Sequence, residues 1–221
     1  MLNTDAAPVQ AQHVSKIYGR TAALRDVSLA LERGRFYVLR GENGAGKSTF
    51  MRMVAGLSAP TQGEILIYGM PPRQALDRLG YMAHAPLIYD ELSGMENLRF
   101  FAQLYGIHSD EPLRKTLEMV GLDPALARRA GQYSQGMRQR LSLARAMFHA
   151  PSLLLLDEPF SNVDPESAGH IAQLLAGLRA SGTTILLITH QLGLLAEIAD
   201  EFLFLSSGRL VDRRPAREAR A

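Results

Sequence analysis

The chain has 221 residues, 47% of them hydrophobic and 21% charged, the balance of a folded globular protein long enough to bury a core. It contains no cysteine, which excludes disulfides, thiolate metal sites and cysteine nucleophiles. The net charge is only +2, and the tail 209–221 carries five arginines against two carboxylates, so the basic character sits there and implies no nucleic-acid-binding face. The tail reads as a solvated arginine segment, with contact to anionic lipid or to a partner as the alternative. The strongest apolar runs, 153–156 and 185–188, have the length of strands, far short of the roughly 18–20 residues that a membrane helix needs. The first ten residues have no basic stretch followed by an apolar one, so no secretory signal is expected.

In chain order, 9–14 and 27–31 read as short strands joined by a polar connection around 19–21, and 36–40 as a compact strand. A glycine-rich loop follows at once, and then 47–57 shows helical spacing through Phe50, Met53, Val54 and Leu57. Strands are expected at 64–68 and 79–82. From 91 to about 150 the pattern is helical only, with helices over 95–105, 111–120, 124–130 and 135–149; Pro124 suits a first turn, and Gly106 and Gly121 suit helix ends. Strand and helix then alternate at 153–157, 165–180, 184–189, 192–199 and 201–205. Strands separated by helices predict a mostly parallel α/β sheet, with 85–140 as a helical insertion between core segments 1–84 and 141–221.

The strongest motif is Gly41-Glu42-Asn43-Gly44-Ala45-Gly46-Lys47-Ser48, which matches G-x-x-x-x-G-K-[ST] between a strand and a helix. Its glycines let successive N–H groups point inward as an anion nest, and the helix that follows adds the positive end of its dipole. Lys47 is placed to reach the outer phosphates of a nucleotide, and the Ser48 hydroxyl to ligate Mg²⁺. The apolar run Leu153-Leu154-Leu155-Leu156 ends in Asp157-Glu158-Pro159, as in a buried strand that delivers carboxylates at its C-terminal edge. Asp157 is expected in the Mg²⁺ shell, and Glu158 is expected to polarise the attacking water. Tyr133-Ser134-Gln135-Gly136-Met137 opens a helix with Ser134 as N-cap. His190 ends the apolar strand 184–189; it is read as a contact to the terminal phosphate that helps orient the water, or as a strand-end histidine satisfied locally.

With these motifs in this order, the sequence resembles the ATP-binding subunits of ABC transporters over nearly its whole length. The resemblance implies an α/β P-loop NTPase core with a mostly parallel sheet, an N-terminal antiparallel β part and the inserted helical lobe. It implies nucleotide contacts from Gly41, Asn43, Gly44, Ala45, Gly46, Lys47, Ser48 and Thr49, and catalytic roles for Glu158 and His190. It makes Ser134, Gln135, Gly136 and Met137 a signature that acts on the nucleotide of a second subunit, and Ser161-Asn162-Val163-Asp164 the D-loop. Tyr18 is expected to stack on adenine, the alternative being a surface or core tyrosine. ATP and Mg²⁺ are the implied ligands. The implied partners are a second copy arranged head to tail and separate permease subunits at the cytoplasmic face of the cell membrane; nucleic acid is not among them.

Two positions depart from the family's pattern. His84 stands where a glutamine usually follows the strand before the lobe, and the signature reads Ser-Gln-Gly-Met-Arg where Ser-Gly-Gly-Gln is commoner. His84 and the stretch 89–100 resemble the ATPase of the haem exporter of cytochrome c maturation within the wider exporter group. The rival reading is a soluble ABC ATPase acting on the ribosome or DNA. Ribosome-acting members usually carry two cassettes and DNA-repair members long coiled coils, whereas this chain has one P-loop and no sustained heptads. A P-loop kinase would have no use for a signature acting in trans.

Overall fold

The structure is a computed structural model that describes residues 6–191, 193–195 and 197–218. Two long antiparallel strands, β1 (Val9–Tyr18) and β2 (Thr21–Leu31), meet at a turn in which Gly19 adopts φ 57°. Both run further toward the turn than their apolar residues predict, because cross-strand pairing satisfies the backbone of the polar stretch as well. β4 (Gln62–Leu66) pairs antiparallel on the other side of β1, completing a three-stranded sheet.

The second sheet has the order β5-β6-β7-β3-β8-β9. β5 (Leu79–Met82), β6 (Leu153–Asp157), β7 (Thr184–Ile188), β3 (Phe36–Arg40) and β8 (Glu201–Ser206) are parallel. Every residue of β6 and β7 is buried, the physical reason for their unbroken apolar runs. Leu154, Leu156, Ile185 and Leu187 join the core shared with the helices on one face. Leu153, Leu155, Leu186 and Ile188 join the core beneath the three-stranded sheet on the other. The alternation follows from the period-two geometry of a strand.

The arginine-rich tail departs from expectation. Residues Arg209–Pro215 form β9, antiparallel to β8. Arg213 donates from Nε to Oε1 of Glu201 at 2.6 Å and from Nη1 to the Ala30 carbonyl at 3.3 Å, and Arg214 pairs with Asp212. The open edge of β8 carries a row of backbone donors and acceptors, and the tail supplies their partners, so this stretch is part of the sheet while Arg209, Arg213 and Arg214 stay exposed to solvent. The last three residues, Arg220 included, lie outside the described residues.

Among the described residues five α-helices accompany the sheets: α1 (Lys47–Val54), α2 (Gly94–Leu104), α3 (Glu111–Met119), α4 (Gln135–Met147) and α5 (Pro165–Ala180). Ser93 and Glu96 form a capping box at the start of α2. Buried Asn97 accepts the Tyr89 N–H and donates to the carbonyls of Tyr89, Leu92 and Ser93, which ties down the preceding loop. α4 runs unbroken across residue 140 and lies against β5, where a Cβ built on Gly80 would stand 2.0 Å from the Ala146 carbonyl oxygen.

Two predicted helices do not form. Over 124–130 the chain makes a single turn, since Asp123 accepts the Ala125 N–H at 2.8 Å and so offers the backbone a local alternative to a helix. Arg129 then bridges to Ser93, and a 3₁₀ turn covers Ala130–Gln132. In 192–199, residues 193–195 and 197–198 are turns, while Leu192 and Ala196 lie outside the described residues. Leu195 and Ala199 are buried against the helical-face core, and this anchoring accounts for their apolar spacing without a helix.

Candidate nucleotide-binding site

Strand order decides which loops meet. Leu39 of β3 is level with Ile188 of β7, and Ile188 is level with Asp157 of β6. The segments that follow these three adjacent strands, 41–46, 158–161 and 189–191, therefore emerge side by side. Met82 of β5 is level with Leu156, which brings His84 to the same edge. Together they line a cavity of about 600 Å³.

The glycine loop owes its shape to backbone sterics. Gly41, Gly44 and Gly46 have φ of 151°, 80° and 102°. A Cβ on Gly46 would lie 2.5 Å from the Ala23 carbonyl oxygen, and one on Gly41 2.2 Å from that of Leu205, so neither position admits a side chain. Lys47, 8% exposed, begins α1 and donates from Nζ to the carbonyls of Gly41 (2.7 Å) and Glu42 (2.9 Å). Its charge is thus held over the loop, facing the space that the backbone leaves open. Asn43, Gly44, Ala45, Gly46, Ser48 and Thr49 all line the cavity with it.

Opposite the loop, Asp157 is buried at the end of β6. Burial and the nearby Asp157 charge both push the Tyr81 phenol above its usual range. Glu158 has φ 56°, a conformation rare for a residue with a side chain. Three hydrogen bonds pin it there: its N–H donates to the Ile188 carbonyl at 2.9 Å, and its carbonyl accepts from Nε2 of Gln139 at 2.7 Å and from the Ser161 N–H at 3.1 Å. Oε1 of Glu158 lies 3.5 Å from Nε2 of His190, with the carboxylate mostly buried and the imidazole exposed to the cavity.

The remaining expected residues lie elsewhere. Tyr18, at the end of β1, is half exposed, with the Lys16 ammonium 5.1 Å from its ring centroid, and is not among the cavity-lining residues. Ser134 caps α4 by accepting the Met137 N–H at 3.2 Å, and Ser134, Gln135, Gly136 and Met137 contribute nothing to the cavity of their own chain. Gly136 abuts the 161–164 loop, since a Cβ there would be 3.5 Å from the Asn162 carbonyl oxygen. Asp164 caps α5, and the Ser167 N–H and hydroxyl hold its carboxyl below the ordinary carboxylate range. The structure adds Ala23, Ser161 and Gln191 to the wall, and Gln139 behind Glu158. Gln139 belongs to the same sequence motif as Ser134, but nothing in its spacing points to Glu158.

Among the described residues no cluster of three or more His, Cys, Asp or Glu stands ready to hold a metal. Ser48 and Asp157 both reach the cavity and bring hard oxygen donors, which fits a Mg²⁺ that completes its shell with phosphate and water. Among the described residues no helix is long and apolar enough to cross a membrane.

A mostly parallel sheet with a glycine loop between β3 and α1 defines a P-loop nucleotide-binding protein. A family model for ABC transporters matches residues 24–161, and the chain belongs to that family, in its ATP-binding branch. It is 35% identical to the bacitracin transport ATP-binding protein BcrA of Enterococcus faecalis over 209 residues, covering 92% of this chain and 68% of the relative. It is 32% identical to the lantibiotic transport ATP-binding protein SrtF of Streptococcus pyogenes, covering 90% and 87%. With a fluoroquinolones export ATP-binding protein of Mycobacterium tuberculosis it shares 37% over 86% of this chain and 64% of the relative. A solved ATP-binding subunit of an ABC transporter superposes with a TM-score of 0.86 at 30% identity, covering 96% of this chain and 91% of that one. A dimeric ATP-binding cassette in a post-hydrolysis state, bound to ADP and Pi, gives 0.87 at 24%, covering 95% and 99%, and bears on the fold alone.

Proposed function

We propose that this chain hydrolyses ATP between two of its copies and so drives an exporter whose membrane-spanning subunits are separate chains. The observation that carries the reading is the one-sided cavity. It is lined by the glycine loop and Lys47 together with Asp157 and the Glu158–His190 pair, while Ser134–Met137 at the start of α4 are not among its lining residues. Phosphoryl transfer is mostly positioning and charge stabilisation, so the terminal phosphate needs donors on its remaining side. The N-terminus of α4, at Ser134–Met137 of a second copy arranged head to tail, supplies them.

On this reading Lys47 and the loop N–H groups hold the outer phosphates. Ser48 and Asp157 would hold Mg²⁺, which offsets phosphate charge when bound. Glu158 orients and polarises the water, His190 steadies the phosphate and that carboxylate, and Tyr18 stacks on adenine from the rim. ATP closes the pair and phosphate release reopens it, a population shift set by contacts made to both copies. Residues 85–140 act as a lobe that passes the stroke on. Leu87, Tyr89, Phe100, Leu104 and Tyr105 expose an apolar surface there, fit for a permease at the cytoplasmic face of the membrane.

The relatives named for bacitracin, lantibiotic and fluoroquinolone transport support an antimicrobial or drug-like cargo. A haem exporter is the second reading, favoured by His84 on the cavity wall. Stimulation of the reconstituted transporter's ATPase by bacitracin or by haem separates the two. The central test is Glu158→Gln, which is expected to leave ATP binding intact, slow hydrolysis by orders of magnitude and trap an ATP-bound dimer on size exclusion. Normal turnover in that variant refutes the assignment.

A further inference from the structure

A second cavity, of about 380 Å³, adjoins the first and shares Lys47 and His190 with it. Arg40, the last residue of β3, forms part of its wall together with Phe204 and Thr189. Arg40 is partly buried as a residue, and its guanidinium lies over two rings, 5.9 Å from the Phe202 centroid and 5.4 Å from that of Phe204. Arg214 of β9 lies over the same Phe204 ring at 5.4 Å, but Arg214 has Asp212 as its counterion. Among the described residues Arg40 has no carboxylate partner and no side-chain hydrogen bond. Glu42, the one acid in this wall, is exposed and makes no ion pair with it.

A cation withdrawn in part from water and resting on aromatic faces recovers only some of its lost hydration, so the cavity favours an anion. The reaction next door makes one. A water oxygen bonds to the terminal phosphorus, the bond from that phosphorus to the bridging oxygen breaks, and ATP⁴⁻ with water becomes ADP³⁻, HPO₄²⁻ and a proton released to solvent. The planar guanidinium fork matches two oxygens of such a tetrahedral anion.

We infer that Arg40 builds a subsite for inorganic phosphate, in which the product is held after it leaves the first cavity and before it reaches solvent. The inference rests on the ATP-hydrolysis reading above. Its test is product inhibition of the full chain, followed by ADP formation from ATP with added inorganic phosphate against chloride at matched ionic strength. Arg40→Leu and Arg40→Gln are expected to raise the half-inhibiting phosphate concentration at least fivefold, with KM for ATP within twofold of the parent; Arg214→Leu should leave both unchanged. The glutamine variant keeps the test open should the leucine variant fold poorly.

Hydrolysis in which phosphate inhibition is absent, or is the same in the parent and the Arg40 variants, overturns the subsite and leaves the ATPase reading standing. So does a rise in KM for ATP parallel to the loss of inhibition. Loss of ATP-dependent dimerisation with inhibition intact also overturns it, and assigns Arg40 to a carboxylate of the second copy. If the parent chain forms no ADP at all, both readings fall together.

Discussion

Gln139→Met removes one hydrogen bond and little volume. Gln139 is 5% exposed, and its Nε2 sits 2.7 Å from the Glu158 carbonyl. The Glu158 carbonyl still accepts the Ser161 N–H at 3.1 Å, so the substitution removes one of its two hydrogen bonds, a loss of about 0.5–1.5 kcal/mol. Glu158 is held at φ 56°, a conformation that itself costs about 1–3 kcal/mol, so its support drops by an amount comparable to the strain it restrains. A loss at the upper end of that range, about 1.4 kcal/mol, shifts a nearly balanced backbone equilibrium tenfold and so cuts the competent population about fivefold. We therefore expect kcat for ATP hydrolysis to fall about fivefold. KM should stay within twofold, because the glycine loop follows β3 while Glu158 follows β6. Urea unfolding measures the stability term, and steady-state turnover with nucleotide titration measures the rest. A variant destabilised by the expected amount that keeps its full kcat would refute the idea that Gln139 positions Glu158.

Lys47→Ala should weaken nucleotide binding about 10- to 100-fold, the value of a charge-assisted hydrogen bond of roughly 1.5–3 kcal/mol; calorimetric titration with a slowly hydrolysed ATP analogue reads this directly. Gly46→Ala forces a Cβ to 2.5 Å from the Ala23 carbonyl oxygen at φ 102°. It should lower stability by at least about 1 kcal/mol and abolish the nucleotide-induced rise in Tm, and a normal thermal shift would contradict the loop geometry. Asp164 is held below its ordinary value of 3.8 by the Ser167 donors, so its contribution is present above that pH and is lost as pH falls through the lowered value. Urea midpoints of the parent and Asp164→Ala should therefore differ at pH 7 and converge in strong acid, whereas a constant gap would show that the cap does not depend on the charge.

Where the candidate site depends on local backbone chemistry, its geometry was legible in the sequence. The glycine loop needs glycine because its φ values and close approaches exclude any side chain, and Lys47 and Ser48 must follow it directly. The buried strand 153–157 announces itself because both its faces are covered and its last residue is acidic. Other features were not legible, because they depend on segments far apart in the chain. The sequence of 124–130 looked helical, but Arg129 bridges to Ser93 and the Ala130 N–H donates to the Leu92 carbonyl. The strand at Arg209–Pro215 was not legible because charge patterning does not reveal that β8 has an open edge.

The same division runs through the site. From sequence alone came the α/β class, the phosphate loop, the acidic strand end and the resemblance to ABC cassettes, since each is written in short spacing and in residue types that few backbones accept. Only the tertiary structure decided that β6, β7 and β3 are neighbours, that Gln139 braces Glu158, that His190 stands 3.5 Å from it, and that Arg40 lines a second cavity. Strand order and register come from burying two faces of one sheet at once, a global packing condition that no local stretch of chain encodes.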